Sequence, residues 1–419
     1  MSTQNLTAAR RGLGTRGALL AATVLLAPLA ARADVVEDWN RTAQVVFTTK
    51  ALGANPNYAI VHTAIYDAVV AIEGGYQPYA IRPTSPTRGA SARAAAAAAG
   101  YYVLLGLAPD QQAVLDAALA ASLAEIPNGS AETKGVAVGA EVAAGILALR
   151  ANDHRNDIVG YEFGTGPGVY QRTPPAFPNP VATNQPGTTP FALQRASQFR
   201  AYGPPDLTSA RYAADVKEVK RMGALEGSKR TAWQSEIARF HTENPNNFWI
   251  RNLRETFATH NLSLVESARL YALMNVAHAD AVIACFDSKY HFNFWRPVTA
   301  IQNADTDDNP DTVADAAWLP YMVTPPHPEY PAAHGCVAGA TAETLQRFFG
   351  TKNLGFTFTS TVLDTVPHFY ATTDALVKEI VDARVFGGMH YRNSVLAGAD
   401  LGRRVARWVY NTQFGPIAQ

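Results

Sequence analysis

What most constrains this chain is a succession of helix-length segments, several opened by a capping signal and none patterned as a ladder of strands. Asn55-Pro56 sets a cap and a first-turn proline ahead of Ile60, Ala64, Ala68 and Ile72, which recur at helical spacing. Ala92–Leu107, 110–125 and 131–150 predict three further helices, and 208–225 and 231–240 resume the pattern. Ser263-Leu264-Val265-Glu266 is a capping box that opens a long helix toward Asp287 and delivers Lys289 at its C-terminal end. Segments 335–349, 372–384 and 395–410 complete the set. Helices with one apolar face bury it against other helices, so the expected class is all-α, two helical bundles.

Between them, residues 152–206 carry "GTGPG", "TPPAFPNP" and "NQPGTTP", too much proline and glycine for a regular element. This divides the expectation into an N-terminal helical region, 34–206, ending in the connector, and a C-terminal helical catalytic domain, 207–419. Residues 1–33 predict a signal peptide: basic "ARRGLGTRG", an apolar run from Ala18 to Ala31, then Ala31-Arg32-Ala33 as a small-x-small cleavage site. Arg10-Arg11 points to twin-arginine export, with general secretion as the alternative. The expected location is periplasmic or secreted.

The 35 basic residues equal the 35 acidic ones, so no global field draws the chain to nucleic acid or an anionic membrane. No transmembrane helix is expected in the mature chain; the closest segment runs from Ala94 to Ala108. The 2 cysteines, Cys285 and Cys336, exclude a thiolate metal site, and export permits one disulfide between them. A homo-oligomer is compatible with this composition.

Five side chains carry the chemistry. Lys289 and Arg296 lie in "KYHFNFWRP", where a lysine and an arginine at a helix end would ordinarily face solvent; the surrounding aromatics instead desolvate the guanidinium and call for an anion. His334 precedes a helix, where first-turn N–H groups favour an anion, and is otherwise a histidine satisfied by a carbonyl. Arg384 and His390 flank Gly387-Gly388, a helix break that also allows close backbone approach. A tetrahedral oxyanion needs such donors and charge, with one imidazole to attack or ligate its central atom.

Taken in order, Lys-x6-Arg-Pro, Pro-x-x-His and Arg-x5-His resemble the three-part signature of the vanadium haloperoxidase and type 2 phosphatidic acid phosphatase superfamily. "IVHTAIYDAVVAIEGGY", "WLPYMVTPPHPEYPAAHG" and "FGGMHYRNSVLAG" are also similar to its secreted bacterial members. The resemblance implies that the oxyanion site sits in the C-terminal bundle and that His390 bonds to the central atom of vanadate, with phosphate able to occupy the same place. It implies that His334 is the acid/base, and that Lys289, Arg296, Arg384 and the backbone N–H of Ala333 hold the oxygens.

The chain departs from the family pattern at four positions. Ala332 and Ala333 replace Ser and Gly, Ala383 replaces a second serine, and Ser394 stands where an aspartate orients the ligand histidine. A lost donor to a charged group weakens binding by about 1 to 3 kcal/mol. The first expectation is a vanadate-dependent haloperoxidase acting on hydrogen peroxide and halide; Met389 and Cys336, oxidisable and near the site in sequence, speak against it. The alternatives are a soluble acid phosphatase that attacks a phosphomonoester with His390, and a non-catalytic oxyanion-binding protein. His327 and His368 are further pocket candidates, His62 and His278 are read as core residues, and the acidic loop 305–311 as solvated.

Overall fold

Side-chain caps at Ser91, Ser209, Thr231, Ser263 and Thr372 open five of the helices. In the computed structural model, which describes residues 34–50 and 54–417, the N-terminal helices are α1 (Val35–Lys50), α2 (Ala54–Glu73), α3 (Ala92–Leu107), α4 (Gln112–Ala124) and α5 (Ser130–Leu149). After the connector come α6 (Ala210–Met222), α7 (Ala232–Phe240), α8 (Pro245–Ala258), α9 (Leu264–Phe292) and α10 (Pro297–Gln302). The last part holds α11 (Ala333–Phe349), strands β1 (Phe356–Ser360) and β2 (Leu363–Tyr370), α12 (Thr373–Phe386) and α13 (Arg392–Thr412). The signal-peptide expectation for 1–33 lies outside the described residues. Reciprocal capping boxes, Thr231 with Gln234 and Ser263 with Glu266, open α7 and α9.

The class is all-α. The pair β1–β2 departs from the expectation of no strand: it is an antiparallel hairpin in which Phe356 faces Tyr370 and Phe358 faces His368. Phe356, Phe358 and Ser360 point inward and alternate with more exposed threonines, a pattern too short to stand out beside the helices.

Helix α9, about 43 Å long at 1.5 Å per residue, is the axis of the fold. It packs against α2 and also against α11 and α13, so the N-terminal helices and the site-bearing helices share one apolar core. Among the described helices α9, rather than the 94–108 segment, is long and apolar enough to cross a membrane, but 89% of that window is buried inside the protein. The connector is tied to this axis by Asp280, a buried carboxylate of α9 that accepts the N–H groups of Phe191, Ala192 and Leu193 at 2.7, 2.7 and 2.9 Å.

Helices α11 and α13 cross so closely that a Cβ on Gly402 would stand 1.9 Å from the carbonyl oxygen of Cys336. This contact ties together the elements that carry two site residues, since His334 lies in the first turn of α11 and His390 two residues before α13. Cys285 and Cys336 are both free thiols, so the permitted disulfide is not formed. In the acidic loop, Asp307 turns inward to hold Thr312 Oγ1 and the N–H of Asn309, while Asp305, Asp308 and Asp311 face solvent. His62 and His278 are core residues bonded to Asn40 and Thr341, each at 2.8 Å.

Candidate active site

Each charged side chain of the candidate site sits where a helix begins or ends. Lys289 is in the last turn of α9, which stops at Asn293 in a left-handed conformation. Arg296 is the N-cap of α10, followed by Pro297 at its first position, and Arg384 is in the last turn of α12. Gly388 then takes φ +76° and presses against the end of α6, where a Cβ would lie 2.4 Å from the Gly223 oxygen, and the chain turns into His390.

These five converge. Arg296 Nη1 approaches His390 Nε2 at 3.0 Å and donates to the Met389 oxygen at 2.9 Å. Its Nε donates to the His327 oxygen at 2.9 Å, and Nη2 reaches the Pro325 oxygen and His327 Nδ1 at 2.8 and 3.0 Å. Lys289 Nζ donates to the carbonyls of Pro328 and Glu329 at 2.9 and 3.0 Å. Arg384 Nη1 donates to the His241 oxygen at 3.3 Å and Nη2 meets Met389 Sδ at 3.1 Å, while its buried Nε has no partner among the described residues. Among the described residues none of the three cations makes an ion pair with a carboxylate.

Burial acts on all three. It lowers Lys289 to about 8, Arg384 to about 9 and Arg296 to about 10, which leaves each protonated at neutral pH. His390 is held well below the usual imidazole range, by burial first and then by Arg296 and Lys289, so its ring is neutral.

The orienting group for His390 is one that the sequence reading missed. With Ser394 in place of the family's aspartate, its hydroxyl only approaches the Glu329 backbone oxygen at 3.4 Å. The carboxylate comes instead from Glu329, ahead of α11, whose Oε1 lies 2.7 Å from His390 Nδ1 and accepts the Tyr391 N–H at 3.1 Å. Since Arg296 can only donate to Nε2, the ring proton belongs on Nδ1, toward Glu329. The Nε2 lone pair is therefore the free one, as a ligand or nucleophile requires. The signal was present in "PPHPEYPAAHG", where Glu329 is the one acid in an otherwise uncharged run apart from its histidines.

A cavity of about 670 Å³ opens onto this cluster. Ala333, His334, Arg384 and His390 line it; Lys289 and Arg296 lie behind that wall, fully buried. His334 makes no side-chain hydrogen bond among the described residues, and burial followed by Arg384 holds it well below its ordinary pKa. The N-cap of α11 is Ala332, which supplies no side-chain cap, so first-turn N–H groups stay available beside Ala333. Of the extra histidines, His327 lines the cavity and His368 does not; Met389 lines it and Cys336 does not. No group of three or more His, Cys, Asp or Glu that could cage a metal ion occurs among the described residues. The donor set, one free imidazole nitrogen among cations, fits an oxyanion.

Comparison with known proteins bears on the fold and its relatives. Residues 269–417 match a sequence model described as the VCPO second helical-bundle domain. The chain is similar to the vanadium chloroperoxidase of Curvularia inaequalis, 27% identical over 305 residues, covering 60% of this chain and 48% of that protein. It thus spans about half the length of that curated relative. A solved bacterial vanadium-dependent iodoperoxidase superposes with a TM-score of 0.78 at 25% identity, covering 92% of this chain and 97% of the other. A holo-type bacterial vanadium-dependent chloroperoxidase shares the fold, with a TM-score of 0.68 at 18% identity over 85% of this chain and 90% of that one.

Proposed function

We propose that this chain belongs to the vanadium haloperoxidase and type 2 phosphatidic acid phosphatase superfamily and is a vanadate-dependent haloperoxidase oxidising halide with hydrogen peroxide. The observation that carries the reading is the charge balance of the buried cluster. Three cations face one carboxylate, Glu329, so the ionised site holds a net charge of 3 − 1 = +2, suited to a dianionic oxyanion in a water-poor wall.

In this reading His390 would hold vanadate through Nε2, and Lys289, Arg296, Arg384 and the Ala333 N–H would hold its oxygens. Bound vanadate supplies the Lewis acidity that activates peroxide toward halide. Glu329 keeps the His390 proton on Nδ1, and Arg296, now bonded to Nε2, would turn its donors to the oxyanion. His334, neutral and unbonded at the cavity wall, takes up the peroxide proton. Its Ala replacement should abolish turnover while sparing much of the oxyanion affinity, which separates an enzyme from a binding protein.

The deciding experiment incubates apo-protein with vanadate, hydrogen peroxide and bromide and follows halogenation of a reporter phenol, alongside hydrolysis of p-nitrophenyl phosphate. Bromination that depends on added vanadate supports the proposal. Vanadate-inhibited hydrolysis without bromination overturns it in favour of the phosphatase chemistry the same residues could perform. The basic, apolar and small-x-small order of residues 1–33 supports export as part of this proposal.

A further inference from the structure

A second histidine–carboxylate pair faces the same cavity. His241, the C-cap of α7, lines the cavity, and its Nε2 lies 3.0 Å from Oε1 of Glu379 in α12. That oxygen is shared: His368 Nδ1 meets it at 2.6 Å and the Tyr370 hydroxyl donates to it at 2.7 Å. His368 is in turn fixed, its Nε2 3.3 Å from Glu236 and its ring stacked on Phe240 at 3.7 Å. Glu379 therefore cannot turn away without giving up three bonds.

Burial works against the ionised form of Glu379, yet the hydrogen bonds from His241 and His368 hold its carboxyl down at about 2. An ionised acceptor at Nε2 puts the proton of the neutral His241 ring there, which leaves Nδ1, without a hydrogen bond among the described residues, as the nitrogen free to exchange a proton. The groups facing this ring are Glu379 and Arg384 from α12, His368 and Tyr370 from β2, and His334 from α11. Glu236 of its own helix acts through His368, and nearby Glu243 is occupied by Arg251 at 2.8 Å. The two cavity imidazoles differ in kind: burial holds both below the ordinary imidazole range, but His334 has only cations and His241 around it, whereas at His241 the Glu379 carboxylate pulls back toward the charged form.

We propose that His241 is a second catalytic residue of this site, the general acid whose Nδ1 serves the cavity while Glu379 sets its tautomer, with His334 as the base. The inference rests on the haloperoxidase reading, in which peroxide, halide and one proton give hypohalous acid and water. There the O–O bond breaks, the halogen–oxygen bond forms, the halide gives up two electrons, and the proton from His241 leaves in the water. Solvent in the cavity recharges Nδ1.

The test is His241→Gln, whose amide N–H can still reach Glu379 but cannot titrate, together with Glu379→Gln. His241→Gln should lower bromination kcat about 100-fold, keep vanadate affinity within about twofold, and lose the alkaline limb of the kcat–pH profile, where the acid deprotonates. Glu379→Gln should move that limb to lower pH, since the carboxylate that favours the imidazolium is gone. Wild-type kcat and profile in His241→Gln overturn the proposal. Should that variant fold poorly, ¹⁵N spectra of the wild-type ring decide: protonation at Nε2 in the neutral form supports it, and protonation at Nδ1 overturns it. The spectra need no turnover, so they remain decisive if the wild-type protein brominates nothing and the haloperoxidase reading itself falls.

Discussion

His390 Nδ1 stands 2.7 Å from Glu329 Oε1, and the two meet across 61 residues of sequence. Glu329 is fully buried, as is His390, so this contact has no water to replace it. Removing the charge while keeping the shape, with Glu329→Gln, should weaken vanadate binding by about 10- to 100-fold through loss of ring orientation. Calorimetric titration of apo-protein with vanadate measures it, and an unchanged affinity would show that the carboxylate does not orient the ligand.

The same pair predicts a pH dependence. Burial raises Glu329 to about 7, against the pull of Lys289 and Arg296. Its ionised form is the one that accepts the Nδ1 proton, so orientation is complete above about pH 7 and is lost as pH falls through that value. Vanadate affinity should fall with it, and Glu329→Gln should flatten the dependence. For stability the sign is opposite: a carboxyl raised above its unfolded value of about 4.5 favours the fold most at low pH. That contribution declines as pH rises from about 4.5 to 7.

Restoring the family's serine makes a third test. Ala332 is the uncapped N-cap of α11, so Ala332→Ser offers a hydroxyl to the first-turn N–H groups when the site is empty and to the oxyanion when it is filled. The expected gain is up to about 1 to 3 kcal/mol in phosphate or vanadate affinity, read by titration. A weaker Kd than wild type would mean that the buried hydroxyl is not accommodated beside Val381 and Val395, with which Ala332 packs.

What the sequence revealed and what it hid follow from how local each signal is. The capping box at Ser263 and the periodicity of α3, α5 and α11 are contained within one helix, and those elements appear within a few residues of expectation. Helix α1 buries Val36, Trp39, Ala43 and Val46 at helical spacing, but it directly follows the leader-like segment, which masks that pattern in the sequence. Helix α8 begins in "NPNNFW", which reads as a turn until Pro245 is placed at its first position. The clustering of the five charged and imidazole residues was legible through their motif spacing. Glu329 and the His241–Glu379 pair were not, because each joins segments whose proximity only the packed helices establish.

The closest helix crossing supplies the last prediction, because it links stability to the site. A Cβ at Gly402 would fall 1.9 Å from the Cys336 oxygen and 2.7 Å from the Ala340 nitrogen, both backbone atoms of α11 that cannot rotate aside. Gly402→Ala must therefore push α13 from α11, at a cost of about 1 to 3 kcal/mol or more, visible as a lower urea midpoint with an unchanged m-value. His334 opens α11 and His390 precedes α13, so separating these helices also moves the two imidazoles apart. Folded Gly402→Ala should accordingly bind vanadate more weakly, whereas an exposed substitution on the same helix, Leu396→Ala, should leave both readouts near wild type. If Gly402→Ala loses stability but keeps full vanadate affinity, the crossing serves the fold alone and the imidazoles are placed by the Gly388 turn instead.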